Sequence, residues 1–172
     1  VRRLRIYWDS SRSRADDDHA AEIALVRGFV AATRPGVVDL VELNDGPAEA
    51  RDAPAEATAL AGRLAAIRYR GATSYAGLTP TGADVCLLVS DGRPTLDAYG
   101  PRDLGCRLIA VSATREADAG LLDAFARASG GVRLDLAERG VEAALAQALQ
   151  AGPAVVAARD GADSPAAFAP LA

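Results

Sequence analysis

The sequence predicts an α/β protein with a doubly wound, mostly parallel six-stranded sheet and helices on both faces. Short β-rich runs alternate with amphipathic helical stretches along the chain, which is typical of strand–helix–strand units. Two runs, ADVCLLVSDG and CRLIAVSA, are almost continuously apolar, as expected for strands that are buried on both faces of a parallel sheet. The turn signal NDG at residues 44–46 precedes a short run that we interpret as one antiparallel edge strand.

The first part of the chain contains three predicted strands and two predicted helices. The run 4–8 (LRIYW) is β-branched and aromatic and ends in polar residues, which favours a strand followed by a loop. Residues 17–33 begin with acidic side chains and then place apolar residues on one face, which predicts a helix. A second strand is predicted over 37–43 and the short edge strand over 48–52. Residues 54–67 open with proline and continue as an amphipathic helix.

The second part of the chain repeats the alternation. The two apolar runs at 83–92 and 106–113 are predicted strands, and residues 118–131 form a predicted helix that ends at Gly-Gly. The last strand is predicted over 131–137 and the last helix over 140–150. Strand–helix alternation of this kind implies a mostly parallel sheet with helices on both faces.

The domain is predicted to span residues 1–150, followed by a linker or extension over 151–172 that is rich in Ala, Gly and Pro. A chain of 172 residues is long enough for one domain with a substantial core. It contains no methionine, so we expect it to be a segment of a longer protein with any targeting signal outside it. The compartment therefore stays undetermined. No run approaches 18 apolar residues, so no membrane insertion is expected in this segment.

The net charge argues against a nucleic-acid-binding protein, and the cysteine spacing argues against a cysteine metal site. The net charge of -4 and the pI near 5.0 argue against a nucleic-acid partner, because a phosphate-binding face normally makes a domain basic. Cys86 and Cys106 lack metal-ligand spacing. Both fall in predicted buried strands, and we interpret them as small buried residues rather than as a disulfide.

Polar side chains lie in three loops that we expect to meet at one edge of the sheet. Asp9, Ser11 and Ser13 come after the first strand, Asp91 follows a later one, and Thr73 lies in a loop before a helix-like stretch. Ligands of open α/β sheets bind beyond the carboxyl ends of the strands, where the strand order reverses. Carboxylate and hydroxyl oxygens suit Mg²⁺, Mn²⁺ or Ca²⁺ better than zinc. The single histidine, His19, is interpreted as a surface residue.

These residues resemble the metal-ion-dependent adhesion site of the von Willebrand factor type A domain family. The family signature is Asp-x-Ser-x-Ser after the first strand, a later Thr in a Gly-rich loop, and an Asp in a Thr-Asp-Gly-like strand end. The corresponding positions here are Asp9, Ser11, Ser13, Thr73 and Asp91, in the expected order. The resemblance covers roughly residues 3–150 and implies the Rossmann-like fold of that family. The loop YRGAT is also similar to type A domains that follow a vault/inter-alpha-trypsin module in bacterial proteins.

The resemblance implies a binding module that is not an enzyme. By family analogy, the hydroxyls of Ser11 and Ser13 contact Mg²⁺ (or Mn²⁺ or Ca²⁺) directly. Asp9 and Asp91 hold it largely through water, and Thr73 alternates between direct and water-mediated contact. Because neutral hydroxyls leave the cation under-neutralised, an Asp or Glu carboxylate of a protein partner completes the coordination.

The chain departs from the family pattern without losing a ligand. Arg12 stands where glycine is common, Arg14 where an apolar residue is frequent, and Ser90 replaces the usual Thr before Asp91. The loop residue Ser74 replaces an asparagine. Arg12 and Arg14 place positive charge beside the site, which is expected to steer an anionic partner. Arg12 and Ser74 are candidate partner-binding residues. The two arginines are also compatible with a solvated loop.

Other interpretations remain open at this point. Asp9 and Ser11 are also preferred helix-capping types, which would make them purely structural. A Mg²⁺-dependent hydrolase on the same kind of sheet would use Asp9 as nucleophile, but the residue two positions later is Ser11 rather than an acid, and the chain has no lysine. A third interpretation is a scaffold domain that binds partners without metal.

Overall fold

The structure, a computed structural model, describes residues 1–96 and 100–150 of the chain. The strands are β1 (Arg3–Asp9), β2 (Val37–Leu43), β3 (Ala50–Ala53), β4 (Val85–Val89), β5 (Arg107–Ser112) and β6 (Val132–Asp135). The helices are α1 (His19–Thr33), α2 (Ala57–Ala65), α3 (Ala119–Ala128) and α4 (Leu136–Gln150), with a short 3₁₀ helix at Arg12–Arg14. The predicted extension over 151–172 lies outside the described residues.

The six strands form one sheet in the order β3-β2-β1-β4-β5-β6. Only β3 is antiparallel, pairing with β2, and the other neighbours are parallel. This confirms the doubly wound α/β fold class. The strand order reverses between β1 and β4, so a crevice is expected beyond the carboxyl ends of these two strands.

Alternate residues of the strands pack into two separate cores. The first face of the sheet carries Leu4, Ile6 and Trp8 of β1 and is covered by α1, α2 and α4. The second face carries Tyr7 and is covered by α3 together with the irregular segment 66–84. The period-2 alternation of side chains along a strand is the reason that neighbouring β1 residues belong to opposite cores.

The prediction of a helix-like stretch after the GATS loop is wrong, because residues 66–84 form no helix. Gly77, Pro80 and Gly82 fall within this segment, and each disfavours a helix. Gly77 also packs closely, since a Cβ built there would lie 2.4 Å from the Cβ of Ala48. Tyr75 of this segment is buried and packs edge to face against Phe125 of α3, with ring centroids 5.6 Å apart.

Cys86 and Cys106 form a disulfide, which corrects the interpretation as separate buried residues. Cys86 lies in β4 and Cys106 directly precedes the neighbouring strand β5, and their Cα atoms are 5.9 Å apart. That separation lies within the range that a disulfide spans. The bridge depends on the register of two parallel strands, which a spacing of 20 residues in the sequence does not reveal.

In residues 1–96 and 100–150, no helix has both the length and the apolar character needed to cross a membrane.

Candidate functional site

Four of the five predicted ligand residues lie along one edge of the sheet, at the ends of β1 and β4. Asp9 is the last residue of β1, and Ser11 and Ser13 belong to the loop and 3₁₀ helix that follow it. Asp91 lies two residues after the end of β4. Asp9, Ser11 and Asp91 are buried, whereas Ser13 is exposed. The strands therefore bring together residues that are about eighty positions apart in the sequence, as the strand-end rule requires.

Direct hydrogen bonds connect these four residues. Ser11 Oγ lies 3.1 Å from Ser13 Oγ, and Ser13 Oγ donates to Asp91 Oδ2 at 3.0 Å. The backbone amide of Ser11 donates to Asp9 Oδ1 at 3.0 Å. The β1 half and the β4 half of the site are thus in contact through the Ser13–Asp91 bond.

Thr73 approaches the same edge on the irregular segment. The segment is joined to the β1 loop by two backbone hydrogen bonds, from Arg12 to the Gly71 carbonyl and from Arg70 to the Ser10 carbonyl. On its other side, the Thr73 amide donates to Thr95 Oγ1 at 3.0 Å, in the loop that continues from Asp91. Thr73 is fully buried, yet its Oγ1 has no hydrogen-bond partner within the part of the chain that the structure describes.

Asp9 is supported from the second face by residues that the sequence analysis did not select. Ser90 Oγ donates to Asp9 Oδ2 at 2.6 Å and lies 2.7 Å from the hydroxyl of Tyr75. Burial raises the pKa of the Asp9 carboxyl above its usual range, although the Arg14 charge and the Ser90 hydrogen bond oppose that shift. The position of Ser90 at the strand end, directly before Asp91, is the one sequence feature that indicates this role.

Arg14 is fully buried, so it is neither a solvated loop residue nor a steering charge. Burial acts to lower its pKa, but the charges of Glu22, Asp9 and Asp17 outweigh this and raise it. The prediction that His19 is a surface residue is also wrong. Its ring is half-buried, stacks on Tyr69 with centroids 3.9 Å apart, and contacts Glu22 Oε2 at 3.0 Å.

Arg12 and Ser74 lie beside the site, as expected for candidate partner-binding residues. Arg12 is exposed next to Ser11, and Ser74 is half-buried next to Thr73. The Arg12 backbone amide is used in the hydrogen bond to Gly71, which fixes the position from which its side chain extends. Their role in binding stays a prediction.

The donor set fits a hard cation only if hydroxyl groups take part. Within residues 1–96 and 100–150, no group of three or more His, Cys, Asp or Glu side chains is placed to hold a metal ion. Two carboxylates, from Asp9 and Asp91, and three hydroxyls, from Ser11, Ser13 and Thr73, supply oxygen atoms of the kind that Mg²⁺ and Ca²⁺ accept. The buried Thr73 Oγ1 fits such a group, because a bound cation or its water would give this atom a partner.

Replacing Thr73 by valine is expected to leave the free energy of unfolding in EDTA unchanged or raised by up to ~1 kcal/mol. Valine has nearly the same shape, and the substitution removes a buried hydroxyl that makes no hydrogen bond. In excess Mg²⁺ the variant is expected to gain less stability than the wild type. Urea unfolding in EDTA and in Mg²⁺ measures both effects, with Thr73→Ser as the hydroxyl-retaining control. A loss above ~1 kcal/mol in EDTA would show that the hydroxyl already has a partner.

Known structures share this fold at low sequence identity. An aerotolerance-related membrane protein from Bacteroides fragilis matches with a TM-score of 0.64 and 13% identity over 88% of this chain and 98% of that one. A von Willebrand factor type A protein from Catenulispora acidiphila matches with a TM-score of 0.59 and 15% identity over 84% of this chain, which spans only 42% of that protein. The SpRpn10 VWA domain matches with a TM-score of 0.57 and 10% identity over 91% of this chain and all of that one.

The sequence matches no protein-family model and no curated protein. The likeness is therefore one of fold, and the fold is that of von Willebrand factor type A domains.

Proposed function

We propose that this domain is a non-catalytic protein-interaction module that holds a divalent cation and docks an acidic side chain of a partner on it. The residues that would hold the cation are Asp9, Ser11, Ser13, Thr73 and Asp91. The observation that carries the proposal is the cluster of Asp9, Ser11, Ser13 and Asp91 at one strand edge, which Thr73 approaches on the irregular segment with its Oγ1 buried and unpartnered among the described residues. A helix cap alone does not account for Thr73 and Asp91, which lie on other segments.

The oxygen donor set suits a hard divalent cation, Mg²⁺ or alternatively Mn²⁺ or Ca²⁺. Asp9 and Asp91 supply the two carboxyl groups, and one oxygen of each already accepts a backbone amide, from Ser11 and Arg93 respectively. Such bonds reduce the charge that each carboxylate offers to a cation. A bound cation would act as an electron-pair acceptor for one further anionic oxygen, and a carboxylate from a partner supplies it.

The surface around the site suits an acidic partner. Exposed Arg12 adjoins Ser11, and exposed Arg70 lies on the segment that leads to Thr73. The backbone hydrogen bonds between the two segments keep the backbones of Arg12 and Arg70 close together. Positive charge at the rim raises the association rate of a negatively charged segment, and salt reduces this effect. Ser74 adds a hydroxyl at the same rim.

Calorimetric titration with Mg²⁺ and Mn²⁺ tests the cation site. We expect the wild type to bind one cation and Asp9→Asn to bind at least about tenfold more weakly, a loss typical of removing one group that supports a metal. Asp52→Asn, which changes an exposed aspartate on β3, is the matched control and should bind like the wild type. Absence of binding in the wild type would favour the scaffold that works without metal.

Docking of a carboxylate is tested separately on the Mn²⁺-loaded protein. Bound Mn²⁺ enhances the relaxation of water protons, and added glutarate should reduce that enhancement as a carboxylate replaces water. An enhancement that glutarate leaves unchanged would contradict docking, and Mg²⁺-dependent turnover of a phosphate ester would favour the hydrolase. The bacterial vault/inter-alpha-trypsin context also stays a prediction, since the matched structures carry the fold alone.

A further inference from the structure

Arg14 uses every one of its five N–H donors, although its side chain is completely buried. Nε donates to Asp17 Oδ2 at 3.0 Å, and Nη2 donates to both carboxylate oxygens of Glu22. Nη1 donates to two backbone carbonyls, those of Asp9 at 2.8 Å and Val89 at 3.0 Å. A buried guanidinium with all donors satisfied is held in one orientation, since any rotation would break charge-assisted bonds.

The two carbonyls that Arg14 joins are the last of β1 and the last of β4. These strands are neighbours with Trp8 opposite Val89, and the chain leaves the sheet immediately after both. Asp9, Ser11 and Ser13 belong to the β1 end, and Asp91 belongs to the β4 end. A single nitrogen atom of Arg14 therefore connects the two halves of the proposed cation site at the point where they separate.

Helix α1 fixes Arg14 from the opposite side. Glu22 of α1 binds the guanidinium and also lies 3.0 Å from Nδ1 of His19. The other His19 nitrogen, Nε2, lies 2.6 Å from the backbone carbonyl of Arg14. Both ring nitrogens thus face acceptor oxygens. The Arg14 backbone and its side chain are both fastened to α1, and Ser13 is the preceding residue.

We propose that Arg14 is a positioning residue of the cation site, which sets the separation of the Asp9–Ser13 half from the Asp91 half by bridging the ends of β1 and β4. The expected effect on cation affinity rests on the proposed function. The effect on the separation of the two strand ends does not, because it applies to the protein without metal. An arginine that serves only as a buried ion pair with Glu22 would stabilise the fold without affecting the site.

Two variants separate positioning from simple stabilisation. Arg14→Lys keeps a cation for Glu22, but a single ammonium group has three donors and lacks the planar fork that reaches two carbonyls and a carboxylate together. Arg14→Met/Glu22→Leu removes both charges, and apolar replacement of a buried pair commonly preserves stability. Arg27→Met, at an exposed position of α1, is the control for loss of an arginine.

Amide hydrogen exchange in EDTA measures the positioning directly. The Ser11 amide reports the Asp9 carboxylate and the Arg93 amide reports the Asp91 carboxylate, through the hydrogen bonds that they donate. We expect both to exchange at least tenfold faster in Arg14→Lys and in the double variant, whereas amides in the middle of β1 and β4 keep their protection. Wild-type exchange at Ser11 and Arg93 in a folded variant would overturn the proposal.

Mn²⁺ titration gives the consequence for binding. Both Arg14 variants should bind Mn²⁺ at least tenfold more weakly than the wild type and Arg27→Met, even where urea unfolding shows recovered stability. A double variant with wild-type stability and wild-type affinity would also overturn the proposal. If the wild type binds no Mn²⁺, the proposed function is wrong, and the exchange result alone then decides whether Arg14 positions the two strand ends.

Discussion

Replacing Arg14 by methionine is expected to lower the free energy of unfolding by about 3–5 kcal/mol, as found when one partner of a buried ion pair is removed. The side chain is fully buried, and its loss leaves the Glu22 carboxylate, itself 1% exposed, without its guanidinium. The carbonyls of Asp9 and Val89 lose a donor as well. Urea unfolding monitored by Trp8 fluorescence measures the change.

The double variant Arg14→Met/Glu22→Leu shows whether the uncompensated carboxylate causes this loss. Because the second substitution removes the stranded charge, we expect the double variant to be more stable than Arg14→Met alone. Together with Glu22→Leu alone, the variants should show a coupling energy of about 1–3 kcal/mol, as contacting residues do. Arg27→Met should change stability by less than about 0.5 kcal/mol, as surface substitutions usually do. If the loss in the double variant equals the sum of the losses in Arg14→Met and Glu22→Leu, the two side chains do not interact.

Removing the disulfide is also expected to lower the free energy of unfolding strongly. Cys86→Ala/Cys106→Ala is expected to lower the free energy of unfolding by about 3 kcal/mol, because a bridge between residues 20 positions apart no longer restricts the unfolded chain. The two alanines leave small gaps in the second core, which also contains both cysteines. Urea unfolding under oxidising conditions measures the loss.

Reduction of the wild type provides the matched comparison. Dithiothreitol should destabilise the wild type by a similar amount and leave the double alanine variant unchanged. Two thiols that react with a maleimide in the unreduced, denatured wild type would contradict the bridge.

The sheet and its four helices could be predicted because their signals are local. The apolar run around Leu87 marks a strand buried on both faces, and the periodic residues of α1 mark a helix. Prediction of the candidate site followed from one geometric rule, since parallel strands of a doubly wound sheet end at the same edge. That rule brings Asp9 and Asp91 together without knowledge of any side-chain contact.

The features that escaped prediction depend on contacts between distant segments. A charged residue such as Arg14 normally favours the surface, and its burial follows only from Glu22, Asp17 and two strand-end carbonyls arranged around it. His19 is likewise half-buried because Tyr69, fifty positions away, covers its ring. The helix expected after Thr73 is absent from residues 66–84 because the second core is filled by single side chains, such as Tyr75, on an extended path.

The irregular segment 66–84 links the candidate site to the second core. It carries Thr73 at the site, and Tyr75 and Leu78 on the same segment are fully buried in that core. The Tyr75 hydroxyl also lies 2.7 Å from Ser90 Oγ, which in turn donates to Asp9. Displacing Thr73 would therefore disturb the packing of the second core, and a ligand that contacts Thr73 stabilises that core as well as the site.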